Sequence, residues 1–164
     1  ISKDNSMIRS ACISLSIIAC STSSLAAADT LSAAQAETII DGCQAFAEEN
    51  HRIHGIAVYD SSANLLAFLR MDGASVGAAA FAMDKAKAVA MWRFPTSGME
   101  EAVQGTPGFA NAPGVVTVAG GVPVFTADGQ SFLGSVATSG EPPRQEVECA
   151  GAGIAAAGLS ATRQ

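Results

Sequence analysis

Ile56-Ala57-Val58-Tyr59-Asp60 and Leu65-Leu66-Ala67-Phe68-Leu69-Arg70 are two short apolar runs on either side of Ser61-Ser62-Ala63-Asn64. Runs of this length, partly β-branched or aromatic and split by small turn residues, predict a β-hairpin. Further along, Val115 to Ala119, Val122 to Thr126 and Ser131 to Thr138 have the same character. Gly120-Gly121 divides the first two, and Asp128-Gly129 is a strong hairpin turn between the last two. Five short strands in two hairpin-connected groups argue for an antiparallel sheet.

Helical patterns surround these groups. Leu31 to Asn50 places Ala36, Ile40, Cys43 and Ala47 on one stripe, with Ser32 as N-cap. Val76 to Trp92 is apolar nearly all round, broken only by Asp84, Lys85 and Lys87. Such a helix is normally covered on more than one side, here by the sheet and by another subunit. Phe94-Pro95-Thr96 ends it, Ser97-Gly98-Met99-Glu100 fits a capping box opening one short turn, and Pro143 to Leu159 is the last helix. The fold class expected is α+β: a five-stranded antiparallel sheet with flanking helices, profilin-like in shape.

The totals agree with one domain. The chain has 164 residues, 49% hydrophobic but only 5% aromatic, so its apolar mass is mostly small and aliphatic. A net charge of −6 and no visible basic face disfavour nucleic acid as a partner.

Residues 1–28 read as upstream residues and an export signal, leaving 29–164 as the domain. After Met7 come Arg9, the apolar run Ala11 to Ala19, and Ala26-Ala27-Ala28, a small-residue cleavage site. The run is too short to span a bilayer, so no transmembrane helix is expected. Ile17-Ile18-Ala19-Cys20 also resembles a lipobox, which would anchor the protein by lipid at Cys20. On either reading the domain leaves the cytoplasm, to be periplasmic or secreted. There Cys43 and Cys149 could pair. Two thiols make no disulfide framework, however, and two small core residues is the plainer reading.

The usual catalytic signatures, G-x-S-x-G, the phosphate-cradling loop and C-x-x-C, are missing. No catalytic residue is assigned. His51 and His54 have a spacing that suits a metal, but a solvated helix end accounts for them as well. Arg70 and Asp72 leave the first hairpin as charges of opposite sign, by default a surface ion pair. Lys85 and Lys87 emerge from an apolar helix, either snorkelling to water or meeting a ligand's carboxylates. Gly120-Gly121-Val122-Pro123 is either a tight turn or a place where a flat ligand meets backbone.

In order, several segments resemble the GlcG/HbpS-like family, which includes the C-terminal domain of PduO-type proteins. They are Leu31 to Ala36, Ile56 to Asp60, Leu65 to Gly73, Asp84-Lys85-Ala86 with Pro95-Thr96, Gly120 to Pro123, Gly134 with Ser139-Gly140, and Glu146 through Cys149-Ala150 to Gly153. The chain departs from the pattern at Ser62-Ala63, where the family usually has Gly-Gly, and at Glu146, where it usually has aspartate. The resemblance implies an oligomer of α+β subunits. Some members bind haem or related tetrapyrroles, and an exported branch degrades haem.

Together, resemblance and residue chemistry nominate Arg70, Asp72, Lys85, Lys87, Thr96, Gly120, Gly121 and Pro123 as the ligand-binding set, with haem as the cofactor. The same resemblance implies that Arg70, Lys85 and Thr96 gather near Gly120-Gly121, away from both histidines. Arg70 is then expected to matter more to haem than His51 or His54. Two other readings use the same residues differently. One is an enzyme or binding subunit for a small organic acid held by Arg70 and the Gly120-Gly121 backbone; the other is a structural oligomer with no ligand.

Overall fold

The computed structural model describes residues 30–164. The expected export signal and the alternative lipid site at Cys20 lie outside the described residues. Along the chain come helix α1 (Ala33–Glu49), strands β1 (Gly55–Asp60) and β2 (Leu65–Arg70), and helices α2 (Val76–Trp92) and α3 (Thr96–Gly105). A 3-10 turn (Pro107–Asn111), strands β3 (Gly121–Phe125) and β4 (Phe132–Ser139), and helix α4 (Pro143–Ala156) complete it. No helix among the described residues is long and apolar enough to cross a membrane.

The sheet has four strands in the order β2-β1-β4-β3, every neighbouring pair antiparallel. Alternation along the strands sorts their side chains into two layers. Ile56, Val58, Val124 and Val136 pack against Ile39, Ile40, Cys43, Cys149 and Ile154 of α1 and α4. Ala57, Tyr59 and Ala137 face Ala82, Ala86 and Ala90 of α2. Small residues on both sides of that second contact let α2 lie almost on the strand backbone. A Cβ on Gly55 would stand 2.6 Å from Ala79 Cα, and the Ser135 hydroxyl donates to the Ala86 carbonyl at 2.7 Å.

Helix α1 begins as its sequence predicts. The Ser32 hydroxyl accepts from the Gln35 amide at 3.2 Å, and the Gln35 side chain accepts from the Ser32 amide at 3.0 Å. The first hairpin tightens around Asp60, which accepts from the amides of Ser62 and Asn64. Ala63 takes a left-handed φ of 62° there. This is where the family pattern has glycine, and an alanine costs about 1 kcal/mol in that conformation.

Three expectations are corrected. Val115 to Ala119 is irregular, not a fifth strand. The free edge of β3 is already closed: the Gly121 amide donates to the Thr96 hydroxyl, Pro123 has no amide hydrogen, and Phe125 exchanges backbone bonds with Ser160. The segment crosses α2 instead, where the Trp92 indole donates to the Pro113 carbonyl at 3.1 Å.

Second, α3 is a full helix from Thr96 to Gly105, with no side-chain cap and Pro95 at its N-cap. Ser97, the expected cap, lies inside the helix, and the Thr96 hydroxyl accepts from the Gly121 amide. Third, Cys43 and Cys149 are a disulfide joining α1 to α4. The two helices cross closely enough to bring the Cα atoms to 4.8 Å, a proximity that spacing along the chain does not reveal.

Candidate functional site

Lys85 and Glu146 form a buried ion pair where α2, α4 and the start of β3 meet. The Lys85 ammonium donates to Glu146 Oε2 at 2.5 Å. The second carboxylate oxygen accepts from the Gly140 amide at 3.0 Å. Lys85 also sits over the Phe81 ring, 4.6 Å from its centroid. Only glycine fits beside this pair: Gly120 has φ of 129°, and a Cβ there would lie 2.5 Å from Glu146 Oε2 and 2.8 Å from Lys85 Nζ. Lys85 is 1% exposed and engaged by carboxylate, so it does not snorkel to water. It ties the layer on one face of the sheet to the layer on the other.

Beside this junction runs a cleft of about 530 Å³, lined by Arg93, Phe94, Pro95, Ser97, Gly121, Val122, Pro123, Phe125, Val147, Ala161, Thr162 and Arg163. Its floor is β3. Helix α2 ends in a left-handed Arg93, φ 62°, which turns Phe94 and Pro95 into one wall. The bridge from Phe125 to Ser160 holds the C-terminal segment as the other. Arg93 and Arg163 are exposed, and neither is ion-paired to a described residue. The cleft is therefore apolar, with two guanidinium groups at hand.

The nominated residues divide among separate places. Lys85, Thr96, Gly120 and Gly121 do come together, and Gly121 and Pro123 line the apolar cleft. Arg70 and Asp72 do not join them. They line a polar cleft of about 490 Å³ with His51 and Arg52, at the β2 edge of the sheet, opposite β3. Arg70 and His51 thus share a site that the sequence reading kept apart. Lys87 belongs to a third cleft, on the outer side of α2, with Asp84 and Met91.

The histidines are corrected too. His51 is exposed, but His54 is fully buried just before β1, and neither of its imidazole nitrogens has a hydrogen-bond partner among the described residues. No group of three metal-ligating side chains occurs among the described residues. Burial lowers the His54 pKa below its ordinary value; Glu141 and Glu146 oppose that shift, and Arg52 and Lys85 add to it.

The folded state thus binds a proton at His54 less readily than the unfolded chain. The contribution is full above the ordinary histidine value and is lost progressively as pH falls from there through the lowered folded-state value. Lowering pH from about 7 to about 5 should destabilise the protein relative to a His54→Leu variant, by up to about 1.4 kcal/mol per pH unit. Parallel denaturation midpoints for the two proteins across that range would contradict this.

Arg93, Phe94, Phe125, Val147 and Arg163 were not singled out from sequence. Phe94-Pro95-Thr96 was legible as a helix end, without Arg93. Nothing in local spacing shows that Arg163 folds back beside it.

Comparison with known proteins agrees with this architecture. The family described as haem degrading protein HbpS-like matches residues 31–155. Protein GlcG of Escherichia coli K12 is 40% identical over 102 residues, 62% of this chain and 75% of that protein. The crystal structure of HbpS superposes with a TM-score of 0.73 at 27% identity, covering 84% of this chain and 97% of that one. A PduOC:haem complex superposes equally well, TM-score 0.73, at 20% identity over 82% of this chain and 99% of its own, and so speaks for the fold alone. With a match over nearly all the described residues, the chain belongs to the HbpS-like family.

Proposed function

We propose that this chain is an exported tetrapyrrole-binding protein that holds haem in the apolar cleft along β3, for sequestration, relay or slow degradation. The observation that carries the reading is the pairing of apolar walls, Phe94, Val122, Pro123 and Phe125, with Arg93 and Arg163, neither ion-paired to a described residue, Arg93 lying over the Phe132 ring. A flat ring with two carboxylates needs such a surface. Membership of a family described as haem-degrading supports it. Gly121 and Pro123 serve as the floor, and Thr96, Gly120 and Lys85 hold that floor in place. The Cys43–Cys149 disulfide supports a location outside the reducing cytoplasm, periplasmic or secreted.

The organic-acid reading required Arg70 and Gly120-Gly121 to act together. They stand at opposite edges of the sheet, which removes its geometric basis.

Titration with haem, followed by visible absorbance, tests the proposal. Each propionate–arginine contact is worth about 1.5–3 kcal/mol, so Arg93→Ala and Arg163→Ala should each weaken binding about tenfold or more. Arg70→Ala should leave it unchanged. Loss of binding in Arg70→Ala alone would move the site to the other edge.

The reading includes a second copy of the chain, although α2 offers less surface than its composition suggests. Ala90 is buried against the sheet, and Phe81 and Met83 are partly covered. Val76, Met91 and Trp92 remain exposed for a partner. Sedimentation of the same preparation should show an oligomer; a stable monomer at micromolar concentration would oppose it.

A further inference from the structure

The cleft along β3 has walls for a ring and charges for carboxylates, but no strong ligand for iron. Its described side chains include no imidazole, thiol, thioether or phenol. The hydroxyls of Ser97 and Thr162 are neutral at ordinary pH, and a guanidinium has no free lone pair to donate. The groups that ligate haem iron well are located elsewhere. His54 is buried just before β1, and His51 and Met71 line the cleft at the opposite edge. Both cysteines of the described chain are spent in the disulfide. Met99 is fully buried, Met91 lies on the outer side of α2, and Tyr59 faces α2 beneath the sheet.

We infer that this cleft recognises the porphyrin ring and its carboxylates rather than the metal, so that it takes metal-free and zinc porphyrins as readily as haem. The inference rests on the haem-binding reading above and narrows its ligand class. The physical reason is one of separable contributions. Burial of the ring against Phe94, Val122 and Phe125 scales with apolar area, and the pairing of propionates with Arg93 and Arg163 depends on their charge. Neither changes when the central atom is removed. A protein–iron bond would add a contribution that metal-free porphyrin cannot supply.

The experiment compares haem, zinc protoporphyrin and metal-free protoporphyrin as ligands of the oxidised, exported protein. Quenching or enhancement of fluorescence reports on the last two, and absorbance on haem. All three should bind within about threefold of one another, and Arg93→Ala with Arg163→Ala should weaken all three alike. Bound haem should lack the low-spin bands of imidazole or thioether ligation, and His51→Ala should leave its spectrum unmoved. Haem binding more than about tenfold tighter than metal-free porphyrin would overturn the inference while leaving the haem-binding reading intact. A spectrum that shifts on loss of His51 would place haem in the cleft at the β2 edge instead, overturning both the inference and the assignment of haem to the β3 cleft. Failure of all three to bind would overturn both.

Discussion

Replacing Glu146 with leucine should cost about 3–5 kcal/mol of stability, among the largest effects of any single substitution in the chain. The carboxylate is the only ion-pair partner of Lys85 among the described residues, at 2.5 Å, and it also accepts the Gly140 amide. Its removal strands an ammonium group in a place with almost no water and orphans a backbone donor. The Phe81 ring would offset only a fraction, since a cation over an aromatic face contributes about 0.5–2 kcal/mol. Lys85→Met should be comparably damaging for the reciprocal reason.

The double variant, Lys85→Met with Glu146→Leu, should recover much of the loss, because two apolar side chains of similar volume need no solvation. Urea denaturation of the four proteins gives the coupling directly. Additive losses, with the double variant the worst of the series, would show that the pair does not act as a unit. Gly120 reports on the same junction, since its missing Cβ is what lets the pair close.

Loss of the Cys43–Cys149 disulfide should remove a similar amount, up to about 4–5 kcal/mol. The bond closes a loop of 106 residues in sequence separation, so it restricts the unfolded chain far more than a local crosslink would. It also lies in the contact between α1 and α4, where a Cβ on Gly153 would meet the Ile39 carbonyl oxygen. Cys43→Ala with Cys149→Ala leaves small side chains that the helices can accommodate, which separates crosslinking from packing. The prediction is a denaturation midpoint that falls sharply on reduction of the wild-type protein and does not respond to reductant in the double alanine variant. Equal midpoints for the oxidised and reduced wild-type protein would refute it. A chain held by such a bond is best served by an oxidising compartment, which is the stability side of the export proposal.

Strand and helix identities were legible because they are written in local periodicity. β1 and β2 were read from two apolar runs and a four-residue turn, α1 from a stripe and its Ser32 cap, β4 from the Asp128-Gly129 turn. Each needs information from only a few neighbouring residues. Val115 to Ala119 has the same local signature as a strand and is not one. An open edge is a property of the whole sheet, and Thr96, Pro123 and Ser160 close the edge it would have used.

The candidate site divides along the same line. The sequence alone marked Arg70, Lys85 and Thr96 as gathering near Gly120-Gly121, through a family resemblance carried by their order, and the fold assembles all of these but Arg70. It also carried the α+β class and a net charge of −6. Tertiary structure alone decided that Lys85 is consumed by Glu146, that Arg70 stands with His51 at the far edge, that His54 is buried without a hydrogen-bond partner among the described residues, and that Arg93 and Arg163 flank one cleft. The physical reason is range. Periodicity and turn chemistry act over a few residues, whereas burial, ion pairing and disulfide formation depend on which distant segments the packed layers bring into contact.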